Sequence, residues 1–192
     1  METARWVGTL GVPFLVVGGS AIAEMYGMST KDVDILILVG SWRPLDAALD
    51  GNHQATSLSP YTGSIRDTTV TVGNRRVLVE FISGEQSAGD RTADEFVAYV
   101  RTRWSRTVGG IRYAEPAVVW YMRLTGDEWE GYVHAFRRDL RAGVPPATFD
   151  GVMRIARHLG VEERTRSRIG RIRELLLLYE APGSAPPSIR RE

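Results

Sequence analysis

Two aspartates, Asp32 and Asp34, open the apolar run DVDILILV, eleven residues after Gly18-Gly19-Ser20. Residues two apart on a strand project from the same side, so an extended 32–39 segment points both carboxylates one way. Paired carboxylates repel each other unless water or a cation takes up the charge. Hard oxygen ligands at this spacing suit Mg²⁺, which takes one or two carboxylates together with substrate phosphates. For the pair alone, an exposed strand mouth with no chemistry is the plainer reading.

Two further features accompany the pair. Gly18-Gly19-Ser20 ends the apolar run FLVV at a strand-to-helix junction. Glycine permits close approach of a ligand to the backbone, and a helix N-terminus offers free N–H groups to phosphate. The alternative is an ordinary tight turn with Ser20 as the helix N-cap. Glu80 sits in RRVLVEFIS, where alternation places Arg76, Leu78, Glu80 and Ile82 on one face and Val77, Val79 and Phe81 on the other. A glutamate buried there needs a partner. Beside the Asp32–Asp34 strand it completes three carboxylates, which can hold two metal ions about 3.5–4 Å apart and clamp an in-line phosphoryl displacement. The alternative is an edge-strand residue facing water.

The elements that position these residues follow from the pattern. Residues 14–17 predict a buried strand, 21–26 a helix, 27–31 a loop and 32–39 a strand too apolar to be half exposed. A short helix starts at Pro44 and runs to Leu49, followed by a loop from Asn52 to Pro60. Alternating apolar residues on either side of Gly73-Asn74 predict a hairpin of 65–72 with 75–82. Beyond it, 92–104, 115–124 (with Pro116 in the first turn), 128–141, 148–159 and 162–180 read as helices. The tail APGSAPPSIRRE is rich in proline and reads as disordered. The expected organisation is an α/β domain with a mixed sheet over 1–90, a helical lobe over 91–181 and the tail over 182–192.

Composition narrows the chemistry. The 192 residues are 43% apolar and 24% charged, enough for a core. Cysteine is absent, which excludes disulfides and thiolate metal sites. His53, His134 and His158 are scattered, so a zinc site is not expected. The sequence lacks a dinucleotide G-x-G-x-x-G after the first strand and the nucleophile-elbow spacing around Ser20. Apolar runs fall short of the roughly 20 residues that cross a bilayer, and the N-terminus lacks signal-peptide features; a cytoplasmic protein without membrane contact is expected. Residues 1–100 carry 7 basic and 12 acidic side chains, whereas 101–192 carry 17 basic and 11 acidic, with Lys31 the only lysine. An acidic site beside an arginine-rich lobe suits a metal-bound triphosphate and a polyanionic acceptor. The five tryptophans read as core or groove fillers, one of which could stack on a base.

Taken together, G-G-S, the eleven-residue gap, D-V-D and a later glutamate in an apolar strand resemble the nucleotidyltransferase superfamily of DNA polymerase β type, over residues 14–83. The size and remainder of the chain are similar to the MenT and AbiEii-like nucleotidyltransferase toxins; aminoglycoside nucleotidyltransferases share a related opening. The resemblance implies an α/β nucleotidyltransferase fold with a C-terminal helical lobe and a cleft between them. It implies Mg²⁺, as two ions with Mn²⁺ as a substitute, on Asp32, Asp34 and Glu80, with Glu80 alternatively the base on the attacking hydroxyl. It also implies an NTP held at Gly18, Gly19 and Ser20. In the toxin group a lysine and a later aspartate assist the site; EPAVVWYMRLTGDEWEGYVHAFRRDL places Arg123 and Asp139 there. Arg123 departs from the pattern: it keeps the charge but does not lose a proton. Arg137 and Arg138 are alternative donors, and Asp139 beside Arg138 reads equally as a surface ion pair. The implied reaction moves NMP from NTP to an acceptor hydroxyl, with the tRNA 3′ end first among acceptors and a cognate antitoxin as partner. A small-molecule nucleotidyltransferase and a catalytically silent nucleotide- or RNA-binding module of the same fold stay open.

Overall fold

The computed structural model describes residues 2–50, 55–58, 65–72 and 74–180. Helix α1 (Glu2–Thr9) leads into strand β1 (Phe14–Val16), helix α2 (Gly18–Tyr26) and strand β2 (Asp32–Ile37). Helix α3 (Trp42–Leu49) and strands β3 (Ala55–Leu58), β4 (Ile65–Val72) and β5 (Arg75–Ile82) follow. Helix α4 (Ala93–Arg103), strands β6 (Ser105–Val108) and β7 (Ile111–Ala114), and helices α5 (Pro116–Thr125), α6 (Val133–Arg141), α7 (Thr148–His158) and α8 (Glu162–Glu180) complete the described chain. The fold is mixed α/β with a C-terminal helical region.

One seven-stranded mixed sheet runs in the order β3-β4-β5-β2-β1-β7-β6. The pairs β2–β5 and β1–β7 are parallel and the others antiparallel. Burial alternates along β5: Val79 and Phe81 are fully buried, whereas Glu80 and Ile82 are partly exposed. This is the two-residue period expected of a strand with one covered face. The covered face lies under α3, whose Asp46 pairs with Arg66 of β4. The opposite face carries Asp34 of β2 beside Glu80 of β5 and forms the floor of a cleft roofed by α5 and α6.

The helices form for local reasons. Thr92 caps α4 reciprocally: its hydroxyl accepts from the Glu95 N–H, and the Glu95 carboxylate accepts from the Thr92 N–H at 2.8 Å. Pro116 occupies the first turn of α5, where its missing N–H costs nothing. The all-buried Trp120 joins Phe136 of α6 (centroids 5.3 Å apart) and Phe149 of α7 (4.7 Å), so one aromatic cluster ties the three helices together.

Three expectations change. Residues 105–114 are a hairpin, β6–β7, that extends the sheet, so the second half is not wholly helical. Residues 55–58, expected in a loop, form the edge strand β3. The helix expected over 128–141 is a 3-10 turn, Trp129–Tyr132, leading into α6. The turn residue Gly73, the flanks of the 52–60 loop and the 182–192 tail lie outside the described residues.

Candidate active site

The central strands bring the carboxylates together. In the parallel β2–β5 ladder Asp34 stands opposite Glu80, and cross-strand partners share a face. The two carboxylates interact directly, and burial, the Glu80 contact and the Asp32 charge push the Asp34 pKa up to about 8. One further bond works the other way: Asp34 Oδ2 accepts from the Gly19 N–H at 3.1 Å. Burial and the Glu80 carboxylate beside it therefore favour the protonated form of Asp34.

Asp32 stands at the cleft mouth, turned aside. Its Oδ1 accepts from the Thr30 hydroxyl at 2.9 Å, and its carbonyl accepts from Ser20 Oγ at 2.7 Å. Among the described residues no group of three acidic, histidine or cysteine side chains stands gathered closely enough to hold a metal ion. The donor set nonetheless fits a hard divalent cation: two oxygens already converge at the cost of a retained proton, and a third carboxylate lines the same cavity.

Gly18 supplies the wall behind Asp34. Its φ is +58°, a region that L side chains rarely adopt, and a Cβ there would collide with the Asp34 carboxylate. Helix α2 starts at this glycine, with Val17 as its N-cap and no side-chain capping bond. Ser20 is therefore inside the first turn rather than capping it, and its hydroxyl is turned to the Asp32 backbone. Gly18 and Gly19 line the main cavity; Ser20 lines a smaller one behind it.

The roof carries the opposite charge. Arg123 of α5 is 8% exposed and reaches the cavity wall while its Nη1 donates to Asp139 Oδ2 at 2.5 Å. Asp139 is fully buried and also accepts from Trp120 Nε1 at 3.0 Å. Its second oxygen faces the exposed Arg138 at 3.3 Å, and Arg138 lines the cavity too. Of the two readings of Asp139, its burial excludes the surface pair with Arg138. Arg137 turns away: its Nη2 donates to the Tyr179 carbonyl at 3.2 Å.

The cavity has a volume of about 470 Å³, within the range of roughly 300–1,000 Å³ typical of small-molecule sites. Asp32, Asp34, Glu80, Gly18, Gly19 and Arg123 all line it, and Asp139 stands behind Arg123. Three contributors escaped the sequence reading. Thr30 is two residues before Asp32, a hydroxyl spacing that signals local side-chain-to-backbone bonding. Asp67 pairs with Glu80 across β4–β5, adding a fourth carboxylate to that face, which only the register reveals. Trp120 reaches Asp139 from nineteen residues away, with no local signal.

No protein-family model and no curated protein matches the sequence. Among solved structures the chain is similar to ANT(2″)-Ia in complex with adenylyl-2″-tobramycin, at 13% identity and TM-score 0.40, covering 91% of this chain and 98% of that one. It is also similar to an H. pylori protein assigned as a nucleotidyltransferase, at 11% identity and TM-score 0.42, covering 94% and 99%. These neighbours are nucleotidyltransferases. Among the described residues no helix is long and apolar enough to cross a membrane.

Proposed function

We propose that the protein is a divalent-cation-dependent nucleotidyltransferase, moving NMP from an NTP to an acceptor hydroxyl and releasing pyrophosphate. The observation that carries this reading is the convergence, in one cavity, of an Asp34–Glu80 pair, a neighbouring Asp32, the glycine-lined start of α2 and a buried arginine opposite. Acids on the floor and cations on the roof suit a substrate that is itself a cation–polyanion complex.

Asp32, Asp34 and Glu80 would hold Mg²⁺ or Mn²⁺. A cation bound there supplies Lewis acidity to the α-phosphate and neutralises charge as the leaving group departs. The residues of the chain do the rest. Gly18 and Gly19 let the triphosphate approach the backbone at the start of α2. Arg123, fixed by Asp139, places a permanent positive charge against the β- and γ-phosphates, where negative charge builds on the departing pyrophosphate. Glu80, beside Asp34 on the floor of the cavity, is placed either as the third ligand or, alternatively, to accept the proton of the attacking hydroxyl. Positioning and charge account for the rate, as they do in phosphoryl transfer generally.

The exposed arginines of α7 and α8, among them Arg154, Arg164 and Arg173, favour a nucleic-acid acceptor. The tRNA 3′ end is the first acceptor to test. Incubation with each α-labelled NTP, Mg²⁺ and total tRNA is expected to label RNA, and the Asp32→Asn/Asp34→Asn protein is expected to label nothing. Label on a protein or a small amine-bearing alcohol would move the acceptor while keeping the reaction. Absence of pyrophosphate with every nucleotide and acceptor would leave only a binding module. A toxin role predicts growth arrest on expression that Asp34→Asn relieves.

A further inference from the structure

The cavity has an end that the transfer chemistry leaves unused. From Glu80 the strand β5 continues to Ile82, which pairs with Ile65 of β4, and the chain then turns through Gly84 into the 3-10 turn Glu85–Ser87. Opposite stand Met122 and Gly126 at the end of α5, and Tyr132, 44% exposed, at the start of α6. This end is apolar where the other is acidic. We propose that it is the nucleobase pocket of the nucleotide site, with Tyr132 as the stacking surface and Gln86 as the residue that reads the base edge. The assignment rests on the nucleotidyl-transfer reading.

The turn that carries Gln86 is held on both sides. The Tyr121 hydroxyl donates to the Ser87 carbonyl at 2.9 Å, and Ser87 Oγ is 2.8 Å from Thr125 Oγ1. Gly84 has φ +80° and lies against Phe96, so the entry to the turn is fixed as well. Burial pushes the Tyr121 phenol further up from its ordinary range, so it remains a donor. Gln86 itself is exposed and lines the cavity from this held turn. A primary amide offers one acceptor and two donors, which matches the paired donor and acceptor of a base edge.

The opposite wall is held too. Arg168 of α8 donates to the carbonyls of Leu124 and Gly126, and its guanidinium stacks over Trp129 at 5.2 Å. These contacts fix the chain between α5 and Tyr132. An exposed aromatic ring on a fixed segment, lining a cavity with Met122, Ile65 and Ile82, is a surface on which a base stacks without sequence preference. Stacking from Tyr132 would supply affinity for any base, and Gln86 would supply the choice among them.

The test is binding, which needs no acceptor and no turnover. Non-hydrolysable α,β-methylene triphosphates of adenosine, guanosine, cytidine and uridine are titrated calorimetrically, with Mg²⁺, into the wild-type, Tyr132→Ala, Tyr132→Phe and Gln86→Glu proteins. Tyr132→Ala is expected to weaken every nucleotide by roughly tenfold while Tyr132→Phe does not. Gln86→Glu replaces an amide with an acceptor-only carboxylate, so the order of preference is expected to move toward guanosine, whose Watson–Crick edge presents two donors. If nucleotides bind the wild type and all three variants keep its affinities and order, the nucleobase assignment is overturned and the transfer reading stands. If no nucleotide binds the wild type, both fall. Thermal unfolding of each variant identifies a loss of affinity that comes from loss of fold.

Discussion

Gly18 and Asp34 form the tightest constraint in the site. Any side chain at position 18 meets the Asp34 carboxylate and sits at a φ that disfavours it. Gly18→Ala is therefore expected to abolish transfer and lower the melting temperature, read together by pyrophosphate release and thermal unfolding. Asp34 makes a second prediction through its raised pKa, about 8 against an ordinary carboxylate value near 4. A carboxyl group whose folded pKa is raised favours the fold when protonated. Its contribution is complete below the ordinary carboxylate range and is lost as pH rises toward 8. Without divalent cation, stability should fall between pH 5 and pH 8, and Asp34→Asn should flatten that decline while eliminating transfer. An amide can accept from the Gly19 N–H and donate to Glu80 with no proton to lose. Thermal melts at several pH values in chelator measure both effects.

Helix pairing governs the roof. Arg123 on α5 and Asp139 on α6 are buried partners, with Trp120 completing the shell around the carboxylate. Removing one member of a buried pair leaves an uncompensated charge, at about 3–5 kcal/mol. Asp139→Ala is thus expected to destabilise the protein by that order in denaturant unfolding. Arg123→Lys should fold but transfer roughly ten- to hundredfold more slowly, because a lysine presents one charge without the planar fork. At α4, Thr92→Ala breaks a reciprocal cap and is expected to cost about 1 kcal/mol without altering transfer. The hairpin strands were legible because their alternation runs long. The 65–72 and 75–82 strands have eight residues each, and Glu80 stood out against Val79 and Phe81 because alternation was sustained. Strands β6 and β7 have four residues each, too short for the two-residue period to show. The sequence leaves Asp139 open between the site and a surface pair, because its nearest neighbour, Arg138, is exposed, whereas its main partner lies sixteen residues away.

At the scale of the molecule, the sheet does not stop where the acidic half of the sequence ends. β7 pairs with β1 through Val16 and Tyr113, and α5 and α6 close the cleft over β2 and β5. A fragment of residues 1–90 loses one neighbour of β1, the roof and Arg123, and is expected to show no cooperative thermal unfolding by circular dichroism. The parallel β2–β5 ladder has a further effect, on how the chain finds its fold. Asp34 and Glu80 come from segments far apart in sequence, and only one alignment of the two strands sets them side by side. A slip of β5 by one residue would turn Glu80 into the layer occupied by Val79 and Phe81 and bring those apolar side chains out. Burying a carboxylate among them is far costlier than exposing a valine. The acidic residues thus serve as registration marks during assembly: a misaligned sheet is rejected by the same charges that the finished cavity displays.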